Sequence, residues 1–367
     1  MGKSKVSYYQ EVSRLLHLVR WLLFPISLIY GIVVRLRNLF FDWGWISSRS
    51  FDVPVISLGN ITVGGTGKTP HAEYLVRLLQ PWYRLTLISR GYRRKTKGVV
   101  MATQQSTAHD IGDEPKQMLH KFPGLGVVVA EKRVAGIEWA LQQIPSPQVI
   151  VMDDAYQHRH VKPGFSVVLM DISRPLWHDA VLPAGDLREP MSGLKRANII
   201  IVTKCLPNLS MDRAQSIVKR LKPAEHQKVF FSAFQYGNPY ALFPGAVPFG
   251  GGASVLVLTG IARPMPLYQH LNQLGYRVIP CSFGDHHDFS HRDLASVESR
   301  FLQLPDGERA IVTTEKDAIR LKEITELSPL LHRSLWVIPI EPYILFGEQE
   351  MFNSQILEYV RKNQSHV

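Results

Sequence analysis

The chain has 367 residues, 45% hydrophobic and 20% charged, with a formal net charge of +11. This composition excludes a disordered or fibrous protein, and the length predicts two domains rather than one core. Two distant cysteines, Cys205 and Cys281, exclude a disulfide framework and a cysteine zinc site, which suits a reducing compartment. The surplus of positive charge points to an anionic partner: nucleic acid, acidic lipid or a phosphorylated substrate.

Near the N-terminus, residues 21–34 (WLLFPISLIYGIVV) carry no charge. Arg14 and Arg20 precede the run; Arg35 and Arg37 follow it, then Phe40, Phe41, Trp43 and Trp45. The run is shorter than the ~20 apolar residues of a clean spanning helix, and it contains Pro25. Basic flanks with interfacial aromatics predict a helix embedded in, or lying on, a membrane surface. No small-residue cleavage site follows, which argues against a signal peptide. A buried core helix is the competing reading of a run this long.

Residues 53–70 (VPVISLGNITVGGTGKTP) hold the clearest chemical signal. A β-rich run feeds a glycine loop, the loop closes on Gly67-Lys68-Thr69, and a helical pattern follows. Backbone N–H groups of such a loop and the positive end of the helix cradle phosphate oxygens. Lys68 is then placed to reach the β- and γ-phosphates, and the Thr69 hydroxyl to ligate Mg²⁺. The usual pattern wants glycine five residues before Gly67, where this chain has Thr62; Gly64 and Gly65 supply the backbone freedom instead. The competing reading is a glycine turn with a chance Lys-Thr.

Further along, residues 84–89 (RLTLIS) read as a strand opening into a loop with five positive charges between Arg90 and Lys97. Residues 126–130, 148–152, 165–170 and 197–203 are apolar runs that read as buried strands, and 133–143 has helical spacing. Strands alternating with helices predict a mostly parallel sheet covered on both faces. Two extended segments, 228–235 and 240–243, flank Gly237-Asn-Pro239, and Gly250-Gly251-Gly252 marks a boundary. A smaller α/β unit follows, with strands at 254–260, 278–282, 310–313 and 335–340 and a helix opened by Ser290 with Asp293 three residues on.

Acidic and histidine residues cluster at predicted strand ends. Asp153-Asp154 closes an apolar strand, where P-loop enzymes hold Mg²⁺ directly or through water. Asp113-Glu114, on a Gly-Asp-Glu-Pro turn, is able to deprotonate a hydroxyl or hold metal, although a plain turn explains it equally. Asp285-His286-His287 follows another strand; a His–Asp pair tunes a general base, and a surface loop is the plainer reading. Thr314-Glu315-Lys316-Asp317 has the same placement and reads as a helix N-cap. The basic loop from Arg90 suits phosphate or anionic headgroups. The chain shows no recognised nucleic-acid module.

Taken together, the segments GNITVGGTGKTP, SRGYRRK, GDEP, EKRVAG, MDDAYQHR, LPAGDLREP, TGIARP, FGDHHDF and TTEKDA resemble the tetraacyldisaccharide 4′-kinase family, which phosphorylates the lipid A precursor in Gram-negative bacteria. The resemblance runs in order over about residues 53–318, and the N-terminal apolar segment matches the family's membrane-associated helix. It implies an α/β fold: a P-loop NTPase-like, mostly parallel sheet flanked by helices, with a second, smaller α/β domain joined by a two-stranded linker. On the sequence the expected division is 1–46 for the membrane-associated segment, 47–227 for the P-loop kinase domain, 228–252 for the linker and 253–367 for the smaller domain.

The resemblance also implies ATP and Mg²⁺, an acylated glucosamine disaccharide 1-phosphate as acceptor, and the cytoplasmic face of the bacterial inner membrane. It carries the base over to Asp113, assisted by His286, with Lys68 as the third catalytic residue. Thr62, Val63, Gly64, Gly65, Thr66, Gly67, Lys68 and Thr69 become the nucleotide loop, and Thr69, Asp153, Asp154 and Glu114 the metal set. Asn60, Arg90, Tyr92, Arg93, Arg133, Gln157 and His158 become candidate substrate contacts. Two features depart from many members: Ala155-Tyr156 where Gly-Phe is common, and the extra acid Asp186 in LPAGDLREP. A membrane-associated P-loop ATPase acting as a switch or assembly factor, and a nucleotide-binding adaptor without turnover, are the rival readings.

Overall fold

The computed structural model describes residues 5–305 and 307–364, with side chains from Arg20 onward; the side chain of Arg14 lies outside the described residues. In chain order the strands are β1 Val55–Asn60, β2 Leu85–Ser89, β3 Val100–Met101, β4 Gly126–Val129, β5 Val149–Asp153, β6 Phe165–Asp171, β7 Ile199–Thr203, β8 Lys228–Tyr236, β9 Tyr240–Ala241, β10 Ser254–Thr259, β11 Arg277–Ser282, β12 Arg309–Thr314, β13 Leu335–Ile338 and β14 Ile340–Ile344. The chain forms two compact units, one of residues 1–89, 132–233 and 343–367, the other of residues 90–131 and 234–342.

In the first unit the strand order is β14-β8-β7-β6-β1-β5-β2. β1 pairs in parallel with β5 (Leu58↔Asp153) and with β6 (Asn60↔Leu169). β2–β5, β6–β7 and β7–β8 are parallel too. Every residue of β1, β2, β5, β6 and β7 is buried. That is why these strands read as unbroken apolar runs: both faces are covered. The parallel register brings the strand ends Asn60, Ser89, Asp153, Asp171 and Thr203 to one edge, where open α/β sheets bind ligands. Gly59 is required by packing, since a Cβ there would stand 2.8 Å from the Tyr156 Cβ.

The N-terminal helix, Lys5–Asp42, runs through Pro25 and is longer than the apolar run that announces it. One face packs on the first unit. The Ser27 hydroxyl accepts from the Ala184 N–H at 2.8 Å, and the Tyr30 hydroxyl donates to the Arg188 carbonyl at 2.8 Å. Arg159 donates to the Asn38 carbonyl at 2.7 Å and lies over the Phe41 ring. The opposite face leaves Trp21, Leu22, Phe24, Leu28, Ile29 and Val33 exposed. Residues 20–42 are long and apolar enough to cross a membrane, and only 11% of their most apolar window is buried, unlike a soluble core helix.

In the second unit the strand order is β11-β10-β12-β13-β9, the first four parallel and β9 antiparallel at the edge. Alternate residues of the central strands enter two cores. Leu256, Leu258 and Ile311 face one, and Val255, Val257 and Val312 the other. Each such buried aliphatic side chain stabilises by about 1.5–3 kcal/mol. The helix His291–Leu302 is capped by Ser290 with a complete Ser290–Asp293 capping box.

Residues 90–131 group by contact with the second unit, not with the P-loop unit that precedes them in sequence. Side chains make the attachment: Lys121 meets Glu315 at 2.6 Å, and the Ala108 N–H donates to Glu323 at 2.6 Å. The C-terminal helix Gln349–Asn363 likewise groups with the first unit, where the Tyr359 hydroxyl bonds the Val55 backbone. β8 and β14 are the strands in which the chain passes from one unit to the other.

Candidate active site

The loop after β1 is held by its carbonyls. The Val63 carbonyl accepts from Arg174 at 3.2 Å, that of Gly65 from Lys204, that of Thr66 from the Thr203 hydroxyl at 2.8 Å, and that of Gly67 from His71 Nδ1 at 2.7 Å. In a trans peptide the C=O and the following N–H point in opposite directions. The N–H groups of Gly64, Thr66, Gly67 and Lys68 are therefore turned away from these four donors, as a phosphate cradle requires. Gly64 and Gly67 adopt φ of +87° and +89°, which side-chain-bearing residues rarely hold. Gly67 caps the helix Lys68–Leu79 with no side chain in the way, leaving the helix N-terminus for an anion.

Around the loop, Thr62 is buried and Thr66 receives a bond from Asn60 Nδ2 at 2.9 Å. The Val63 N–H donates to the Asp186 carbonyl and the Arg188 N–H to the Ile61 carbonyl, both at 2.7 Å. The additional acid Asp186 thus adjoins the loop, with its side chain 3.8 Å from Arg174. His71 is buried; burial pushes its pKa down to about 4, against the Gly67 carbonyl that favours the charged form. Its Nε2 lies 3.0 Å from the Ser232 hydroxyl.

Lys68 stands 3.5 Å from Asp154, and Arg188 meets both Asp154 oxygens at 3.0 and 3.2 Å. Burial pushes the Asp154 carboxyl up, but Lys68 and Arg188 outweigh it and hold the pKa below the ordinary value. Asp154 sits at φ 45°, a left-handed turn that follows β5 directly. Asp153, the last residue of β5, is buried. No group of three or more His, Cys, Asp or Glu among the described residues makes a protein-only metal cage. Hard oxygen donors at Thr69, Asp153 and Asp154 do fit Mg²⁺, which binds through few protein ligands together with substrate phosphates and water.

Of the sequence-derived substrate candidates in this unit, Asn60 and Arg133 are buried, and Gln157 and His158 are half-buried. The Arg133 N–H donates to His158 Nε2 at 3.2 Å. Gln157 donates to the Asn60 carbonyl at 2.7 Å and to Glu189 at 2.9 Å.

In the second unit, a cavity of about 300 Å³ is lined by Tyr92, Arg93, Asp113, His286, Phe289 and Arg320, among others. Asp113 opens the helix Asp113–Lys121, and its Oδ2 lies 2.8 Å from His286 Nδ1. Lys316 Nζ donates to His286 Nε2 at 3.0 Å. An ammonium cannot accept, so the Lys316 contact makes Nε2 the acceptor; Nδ1 lies between Asp113 Oδ2 at 2.8 Å and Arg320 Nη2 at 3.0 Å, and its proton goes to the closer carboxylate oxygen. Arg320 Nε donates to Asp113 Oδ1 at 3.2 Å, and its Nη2 to Oδ2. Burial pushes the Asp113 carboxyl up, but the hydrogen bonds from His286 and Arg320 and the Arg320 charge dominate, holding its pKa at about 2. His287 points elsewhere, with Nε2 3.0 Å from Asp293 and its ring stacked on Phe283.

Tyr92 packs edge-on to His286, and Arg93 donates to the His286 carbonyl at 3.3 Å. Arg90 is exposed, and Glu114 lies 3.9 Å from Lys316. The sequence reading passed over Arg174, Lys204, Arg188 and Arg320. The signal for Lys204 was available: a charge straight after an apolar strand, as at Asp153. Arg320 carried none, because its partner Asp113 is 207 positions away.

A parallel α/β sheet with a phosphate-cradling glycine loop at its carboxyl edge defines a P-loop nucleotide-binding protein. A family model described as Tetraacyldisaccharide-1-P 4'-kinase (LpxK) matches residues 19–361. The chain belongs to that family. It is 46% identical over 357 residues to the tetraacyldisaccharide 4'-kinase of Bacteroides thetaiotaomicron, covering 94% of each chain. It is 41% identical over 353 residues to the enzyme of that name from Flavobacterium johnsoniae, covering 95% of this chain and 99% of the other. Among solved structures it resembles the "apo" form of LpxK from Aquifex aeolicus in complex with ATP, with TM-score 0.71 and 26% identity over 95% of this chain and 100% of that one.

Proposed function

We propose that this chain transfers the γ-phosphoryl group of ATP to the 4′-hydroxyl of a tetraacyldisaccharide 1-phosphate. The products are ADP and the 1,4′-bisphosphorylated lipid A precursor. The observation that carries the reading is the glycine loop in which four carbonyls between residues 63 and 67 are tied to donors, in a chain of this family.

In the mechanism, the loop N–H groups and the helix N-terminus hold the β- and γ-phosphates. Lys68 swings from Asp154 to the phosphates and offsets the charge on the transferring group. Thr69 and the Asp153-Asp154 strand end are the residues to hold Mg²⁺, which when bound neutralises phosphate charge. Asp113 takes the proton of the 4′-hydroxyl while that oxygen bonds to the γ-phosphorus and the bond to the β–γ bridging oxygen breaks. A carboxylate held at a pKa of about 2 is a weak base but is ionised at any physiological pH. In a loose phosphoryl transfer little proton abstraction is needed early, so position matters more than basicity. His286 orients Asp113 through Nδ1.

The exposed apolar face of the N-terminal helix supports docking at the cytoplasmic face of the inner membrane, where an acylated acceptor resides. The direct test is transfer of label from γ-labelled ATP to a tetraacylated glucosamine disaccharide 1-phosphate in detergent micelles with Mg²⁺. Labelled lipid supports the kinase. Label released only as inorganic phosphate replaces it with an ATPase.

A further inference from the structure

The TTEKDA segment reads in sequence as a helix cap, and Thr314 does cap the helix Glu315–Lys322 by accepting from the Asp317 N–H. The Asp317 carboxylate joins the cap by accepting from the Thr314 hydroxyl at 2.8 Å, but the cap leaves further contacts of three side chains of that helix unexplained. Lys316 donates to His286 Nε2 at 3.0 Å. Asp317, fully buried, accepts from the Gly260 N–H at 3.0 Å, and the Gly260 carbonyl in turn accepts from the His286 N–H at 3.1 Å. Arg320, 6% exposed, forks onto both oxygens of Asp113 and donates to the His287 carbonyl at 3.0 Å.

We infer that Lys316, Asp317 and Arg320 are positioning residues that hold the Asp113–His286 pair in its reactive arrangement. The inference rests on the reading of Asp113 as proton acceptor. Each residue fixes a different degree of freedom. A planar fork sets the plane and rotamer of the Asp113 carboxylate, which a point charge would not. The Lys316 ammonium occupies Nε2 and so favours the proton on Nδ1, where Asp113 Oδ2 at 2.8 Å accepts it and Arg320 Nη2, at 3.0 Å from the same nitrogen, spends its hydrogen bond on the carboxylate. Asp317 pins the backbone on which His286 rides at φ 58°, an unusual conformation for a residue with a side chain. The helix supplies all three from positions i, i+1 and i+4, on adjoining turns.

A double-mutant cycle on phosphate transfer tests this, with Arg320→Gln, Asp113→Asn and the double variant assayed on tetraacyldisaccharide 1-phosphate in micelles. Alone, Arg320→Gln should lower kcat at least tenfold while the KM for ATP stays within twofold, and Arg320→Lys should recover part of the loss. The double variant should be no slower than Asp113→Asn. If the Arg320 loss multiplies in full onto Asp113→Asn, or if Arg320→Gln costs nothing, the inference is overturned. Wild-type rates in Asp113→Asn, which retains Arg320, would remove the proton-acceptor reading, and the positioning role would fall with it. Should Arg320→Gln not fold, the same cycle with Lys316→Gln and His286→Asn decides, since the Lys316 side chain is 24% exposed. Full multiplication there also counts against the inference.

Discussion

The phosphate cradle of the first unit and the Asp113–His286 pocket of the second are made of different material. The cradle is mainly backbone: a contiguous loop whose carbonyls are tied off by Arg174, Lys204, Thr203 and His71. The pocket is side chain on side chain, drawn from positions 92–93, 113, 286 and 316–320. A backbone site demands glycines and a helix start in one short run, so it is visible in the sequence. A side-chain site demands only charges at positions far apart, and each of these is ordinary in its own neighbourhood. The two sites should therefore respond differently to substitution.

The largest effect falls where the cradle depends on a side chain. Lys68→Ala should reduce phosphate transfer by about 10³-fold or more, within the range of charge-stabilising groups in phosphoryl transfer, with the thermal transition unchanged. Activity near wild type would remove the P-loop assignment. Next, Gly64→Ala places a Cβ on a residue at φ +87°, 3.2 Å from Arg174. Left-handed strain of about 1–2 kcal/mol predicts roughly tenfold weaker ATP binding, read by calorimetry. Unchanged ATP affinity would mean that the loop conformation does not matter to binding.

A smaller effect concerns stability. His71 has a pKa of about 4 when folded, lowered from 6.5 by burial. Its unfolded form therefore binds the proton first as pH falls. The stabilisation is complete above pH 6.5 and is lost as pH drops from there to about 4, on the order of 3 kcal/mol in all. Denaturant unfolding of His71→Gln should show a flatter dependence over that window. Equal slopes in both proteins would show that His71 does not titrate on unfolding.

Much of the first unit was legible. Its strands are buried on both faces, so they appear as apolar runs, and the acids that end β5 stand out against them. Asp113 and His286 reached the candidate site through resemblance to a family, because turn-forming Gly-Asp-Glu-Pro and an Asp-His-His loop each have a plainer explanation. Lys316 stayed hidden because a helix cap already accounted for TTEKDA, and Arg320, two residues beyond that segment, because its partner Asp113 is 207 positions away. The grouping of residues 90–131 with the second unit was also illegible. It depends on pairs such as Lys121–Glu315, which no local pattern specifies. The N-terminal helix was read from its apolar face, whereas its contacts through Ser27 and Tyr30 use residues that look like interruptions of that face.

The most direct measurement pairs ATP affinity with turnover in Asp113→Asn. If the cradle binds and the pocket reacts, ATP affinity stays within about twofold of wild type while kcat for lipid phosphorylation falls about 10²–10⁴-fold. Loss of ATP affinity with kcat preserved at saturation would contradict the account and make Asp113 a nucleotide or metal residue.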